Sequence, residues 1–169
     1  MSQTAEKSQP NSKKDVDVTM PSDREIRVTR TFDAPRKLVF ECHTRPELLK
    51  RWLLGPPGWT MPGCEMDFRV GGKYLYTWRN EADGSEFSIG GVHREIVPPE
   101  RIVTLENFMG DEALNTLILT EKDGRTTIEI TMRFENEEKR DQALKTGMTD
   151  GMAISYDRLD EVLEAQKGA

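Results

Sequence analysis

The chain has few of the residue types that usually announce chemistry. Its 169 residues include two cysteines, Cys42 and Cys64, and two histidines, His43 and His93. Neither a CxxC nor an HxxxH spacing occurs, and Cys42 and His43 are neighbours whose side chains diverge on a helix. Nothing assembles the three or four converging ligands of a metal centre, so no metal is expected. No G-x-S-x-G elbow presents a nucleophile. Basic residues do not cluster: 24 Lys and Arg are spread among 30 Asp and Glu, for a net charge of −6, which argues against nucleic acid as a partner. No apolar run approaches the ~20 residues of a membrane span, and the opening MSQTAEKSQPNSKKDVDV has no apolar h-region. The expectation is a cytoplasmic protein with both cysteines free, no membrane insertion and no cofactor.

What is present is a regular alternation of strand and turn signals. Residues 1–23 are polar and aperiodic and are expected to form a disordered tail, with one domain over 24–169. Glu25–Phe32 alternates Ile26, Val28 and Phe32 on one face, which Arg30 shares, as in a half-buried strand. Asp33-Ala-Pro35 and Thr44-Arg-Pro46 each predict a helix start, capped by Asp33 and Thr44; the second short helix is expected to carry Leu48, Leu49, Trp52 and Leu53 up to Gly55-Pro56. Alternating runs then follow at 64–70, 73–78, 85–97, 101–109, 113–121 and 125–134. They are separated by Gly71-Gly72, Asp83-Gly84, Pro98-Pro99, Gly110-Asp111 and Asp123-Gly124. Loops this short imply an antiparallel meander. After a short helix over 137–146, Met148–Gln166 places Met148, Met152, Ser155, Leu159, Val162 and Leu163 along one helical stripe, with Tyr156 at its edge. The predicted fold is α+β: a curved seven-stranded antiparallel sheet around a long C-terminal helix, with two short helices after the first strand.

Several stretches resemble one known family. DAPRKLVFECHTRPELLKRW is similar to its opening A-P-x-x-V-[FW] … T-x-P-E pattern, CEMDFRVGGKYLYTW to its D-x-R-x-G-G hairpin, GGVHREIVPPERIVTLENF to its E-I-x-P-P-x-R hairpin, and GMAISYDRLDEVL to its closing helix. Four motifs in order over residues 25–165 resemble the activator of heat-shock-protein-90 ATPase homologue-like family, within the START and birch-pollen-allergen-like superfamily. The resemblance implies the helix-grip fold, with a cavity between sheet and helix. It implies an apolar small molecule as ligand, with a chaperone whose ATPase is stimulated, or cyclase- or dehydratase-type catalysis, as the other branches of function. Either a monomer or a homodimer is compatible with it.

The candidate cavity residues are Trp52, Trp59, Tyr74, Tyr76, Trp78, His93, Phe108, Met148, Met152 and Tyr156; each either lines a cavity or fills a core. Strict alternation puts His93 and Glu95 on one strand face. If that face looks inward they form an acid–base pair; if outward they are solvent-facing residues. Arg30 either anchors a ligand carboxylate or pairs with a buried acid. In RWLLGPPGW the two prolines offer no N–H, so Gly-Pro-Pro-Gly is no phosphate cradle and reads instead as a stiff segment at the cavity entrance.

Overall fold

A computed structural model describes residues 16–168. Eight strands and four helices follow in the order β1 (Asp17–Thr19), β2 (Glu25–Phe32), α1 (Arg36–Thr44), α2 (Pro46–Leu49), β3 (Trp59–Met66), β4 (Lys73–Asn80), β5 (Glu86–Val97), β6 (Arg101–Phe108), β7 (Asp111–Lys122), β8 (Arg125–Phe134), α3 (Glu137–Lys145) and α4 (Met148–Lys167). All eight strands form one antiparallel sheet in the order β1-β2-β8-β7-β6-β5-β4-β3. The meander β3 to β8 is sequential, and β2 closes against β8 because its alternating face, Ile26, Val28, Arg30 and Phe32, is buried throughout.

The strand count is eight rather than seven. The extra strand, Asp17–Thr19, pairs with β2 through Val18 opposite Val28, so ordered structure begins before Arg24. The outer edge of β2 offers unpaired backbone groups, and the β-branched Val18 and Thr19 supply a partner for them. Residues 1–15 of the expected tail lie outside the described residues.

Three local expectations also shift. Asp33 does not cap α1: Pro35 is the N-cap residue, and the Arg36 N–H is taken by Glu121 Oε1 at 2.8 Å from the end of β7. Thr44 ends α1, with Oγ1 donating to the Phe40 carbonyl, while Arg45 precedes α2. The helix α2 stops at Leu49, so Trp52 and Leu53 fall in the turn beyond it. β3 begins at Trp59 despite Pro62, because it is an edge strand whose register shifts between Thr60 and Gly63. Residues 67–72 then form a wider connection than a two-residue hairpin, and Phe68 turns inward to pack on Phe40 and His93.

The long helix α4 buries Ser155, Tyr156, Leu159, Val162 and Leu163. Its Tyr156 stacks on Trp52 (5.8 Å between centroids) and meets Phe32 edge-on. Beside them Arg30 is fully buried, with its guanidinium 5.0 Å over Phe32, and it pairs with Asp157 (3.1 Å) and Asp160 (2.8 Å) of α4. Arg30 therefore ties sheet to helix through acids of this chain. At this end of the sheet–helix interface the core is closed. Toward the start of α4 it loosens: Met148, Met152, Ile130, Phe134, Tyr76 and Met66 are only partly buried.

Candidate functional site

The candidate site is the concave face of β4 to β7 opposite the first half of α4. Register decides its composition. Tyr74 lies opposite Gly91, Gly91 opposite Glu106, His93 opposite Thr104, and Thr104 opposite Asn115, so these residues form one patch across four strands. Gly91 makes it possible: a Cβ there would sit 2.5 Å from both the Tyr74 Oη and the Leu105 carbonyl. The Tyr74 ring thus lies across the bare glycine, and its phenol reaches Thr104 on β6.

Aromatic rings run along this face. His93, Tyr74, Tyr76, Trp78 and Phe87 touch in sequence, with centroid separations of 5.4, 5.0, 6.0 and 5.2 Å, and Phe108 joins Phe87 at 6.0 Å. Trp59 packs edge-on against Phe87 at the strip's end. Of the ten expected residues, Tyr74, Tyr76, Trp78, His93 and Phe108 share this face of the sheet, and Met148 and Met152 lie on the first half of α4. Trp52 and Tyr156 instead belong to the closed core, where Trp52 Nε1 donates to the Cys42 carbonyl.

His93 and Glu95 do not form a pair. A β-bulge falls between them: His93 stands opposite Thr104, but Glu95 stands opposite Val103. The inserted residue, Arg94, breaks the alternation and sends the two side chains to opposite faces. His93 is 3% exposed and turns Nδ1 to the Gly72 carbonyl at 3.1 Å; burial lowers its pKa below the ordinary imidazole range. Glu95 is on the outer face, in an exposed ion pair with Arg101 at 3.1 Å.

Sequence reasoning missed the polar centre of the patch. Asn115 Nδ2 donates to Glu106 Oε1 at 2.9 Å, while Asn115 Oδ1 is buried without a partner. Burial raises the Glu106 pKa, and the bond from Asn115 opposes that rise only in part. Desolvation likewise pushes Tyr74 up to about 12 and Tyr76 higher still, with the Glu106 charge adding to both. The alternation Ile102, Thr104, Glu106, Phe108 was the available signal: a carboxylate on an otherwise inward-facing strand stripe. Among the described residues, no three His, Cys, Asp or Glu side chains converge on a metal position.

The Gly-Pro-Pro-Gly loop spans from the sheet to α4. Trp78 Nε1 donates to the Leu53 carbonyl at 2.8 Å, the Gly55 N–H to Ser155 Oγ at 2.8 Å, and the Glu81 N–H to the Gly58 carbonyl at 2.9 Å. Gly55 and Gly58, with φ of 73° and 96°, make the two bends that a side chain would strain. Pro56 lies beside Gly151 of α4. On the opposite, convex face of the sheet a shallow depression of about 480 Å³ opens over Leu75, Gly90, Val92 and Leu105.

A curved antiparallel sheet closed by one long C-terminal helix defines the helix-grip α+β class. Within it, the sequence pattern of the Activator of Hsp90 ATPase homolog 1-like family matches residues 33–164, and the chain belongs to that family. Solved structures agree. A Rhodobacter sphaeroides protein is 26% identical, with a TM-score of 0.83 over 89% of this chain and 99% of its own. An Arthrobacter aurescens protein is 26% identical, with a TM-score of 0.78 over 89% and 91%. An AHSA1-like protein from Aeromonas hydrophila is 18% identical, with a TM-score of 0.61 over 78% and 92%, and shares the fold. Among curated proteins none matches the chain significantly.

Proposed function

We propose that the protein binds a small, largely apolar molecule on the concave face of β4 to β7, beneath the first half of α4. One observation carries this reading: Tyr76 of the aromatic strip and Met148 and Met152 of α4 are packed against the core yet left only partly buried, whereas the other end of the same interface is sealed. Aromatic and methionine side chains suit ligands of variable shape, and a few fixed polar groups give them orientation. The pinned 54–58 loop supports the reading by bounding the open end. Cys42 and Cys64 are both free, which suits the reducing cytoplasm proposed for the protein. No described helix is long and apolar enough to cross a membrane.

The test is titration with the neutral dye N-phenyl-1-naphthylamine, followed by its emission. Saturable one-to-one binding is expected, and Met152→Trp, which fills the open end, abolishes it while leaving a cooperative unfolding transition. Absence of saturable binding to the wild-type protein overturns the reading. The family name raises stimulation of an Hsp90-type ATPase as a separate activity; a coupled ATPase assay with the cognate chaperone decides that independently of dye binding.

A further inference from the structure

We propose that the ligand carries a protonated amine, held by the Glu106 carboxylate and the Asn115 side-chain carbonyl against the faces of Tyr74 and Tyr76. The inference rests on the concave face being the ligand site and specifies which chemistry fits there.

Hydrogen-bonding capacity at the centre of this patch leans toward acceptance. Asn115 Nδ2 is committed to Glu106 and His93 Nδ1 to the Gly72 carbonyl, while Tyr74 and Thr104 share a hydrogen bond that uses one of their two hydroxyl protons. Around Glu106 and Asn115, what is left over accepts. Asn115 Oδ1 is buried with no partner, and Glu106 makes its single hydrogen bond through Oε1. A buried acceptor such as Asn115 Oδ1 costs free energy until a donor arrives, so a ligand that donates is favoured.

Charge selects among donors. Elsewhere in the fold acids meet a cation of this chain, as Asp157 and Asp160 meet the buried Arg30 and Glu95 meets Arg101 at the surface. Glu106 has only the neutral Asn115. A carboxyl taken out of water with no counter-charge is disfavoured as the anion, and burial does raise its pKa. A ligand cation supplies the missing charge, and aromatic faces favour a cation over a neutral alcohol. A carboxylate ligand would place a like charge beside Glu106, so acids are rejected.

Calorimetric titration with 4-phenylbutylamine, 4-phenylbutanol and 4-phenylbutyrate at neutral pH tests this, since the three probes share one apolar body. The ammonium is expected to bind at least about ten-fold tighter than the alcohol, and the carboxylate weakest. Glu106→Gln keeps shape and removes charge. It is expected to reduce the ammonium preference to less than about two-fold while alcohol binding persists. Equal affinity for ammonium and alcohol in the wild type, or an undiminished preference in Glu106→Gln, overturns the amine assignment alone. Failure of all three probes to bind, with dye binding also absent, overturns the ligand-site reading and this inference together. Failure of the probes with dye binding intact overturns only the amine assignment.

Discussion

Acid should destabilise this protein through His43, and the size of the effect follows from its surroundings. His43 sits in the last turn of α1, with Nδ1 on the Val39 carbonyl at 2.8 Å and the ring edge-on to Trp52 at 4.9 Å. Its Nε2 is buried without a partner. Burial lowers its pKa from 6.5 to about 4. The unfolded chain therefore binds a proton at higher pH than the folded protein does. The stabilisation tied to neutral His43 is complete above about pH 6.5 and is lost as pH falls from there to about 4. At about pH 5 the unfolded imidazole is nearly all charged and the folded one nearly all neutral, which costs about 2 kcal/mol; the full loss below pH 4 is about 3 kcal/mol. Urea unfolding near pH 7 and pH 5 measures this. His43→Phe keeps the edge contact with Trp52, and the Val39 carbonyl retains its helical backbone partner, but nothing titrates. The wild type should lose about 2 kcal/mol more than His43→Phe over that interval. His93, also held neutral by burial, contributes equally to both proteins and cancels. An identical pH dependence in the two proteins would refute the assignment.

Three further outcomes follow from the packing. Asp160→Asn should cost about 1–2 kcal/mol in thermal unfolding and Asp157→Asn less than about 0.5, because Asp160 is 27% exposed and Asp157 62% while both contact the same buried Arg30. Gly91→Ala should lower stability by about 1–3 kcal/mol, since its Cβ meets the Leu105 carbonyl and the Tyr74 phenol at 2.5 Å, and the near-UV tyrosine signal should change with it. Ser155→Ala removes the acceptor of the Gly55 N–H; amide hydrogen exchange at Gly55 should accelerate, with a loss of about 1 kcal/mol in global stability.

Much of the architecture was legible because it depends on short-range rules. Alternation with burial on every second residue marked β2 in full, and the Asp83-Gly84 and Asp123-Gly124 turns marked the ends of β4 and β7. The helical stripe from Met148 to Leu163 identified the element that the sheet must cover. The same rules failed where a distant partner intervened. Glu121, some 85 residues along the chain, occupies the place expected for the Asp33 side chain at the start of α1. Asp17–Thr19 became a strand because β2 presented it with an open edge.

The candidate site divides in the same way. The sequence alone determined which residue types were available and which motifs were missing: aromatics and methionines are present in quantity, and neither a CxxC or HxxxH spacing nor a G-x-S-x-G elbow occurs. It also determined the inward stripe of β4, where Tyr74, Tyr76 and Trp78 alternate. Only the tertiary structure decided which polar groups share that face. One extra residue in β5 sends Glu95 outward and leaves His93 inside, a change that no period-two count contains. Cross-strand register, set by loops and bulges across four strands, brings Glu106 and Asn115 together from β6 and β7. Local periodicity reports burial along one strand. Juxtaposition between strands is a property of the closed sheet, and it is there that the Glu106 carboxylate meets the neutral Asn115.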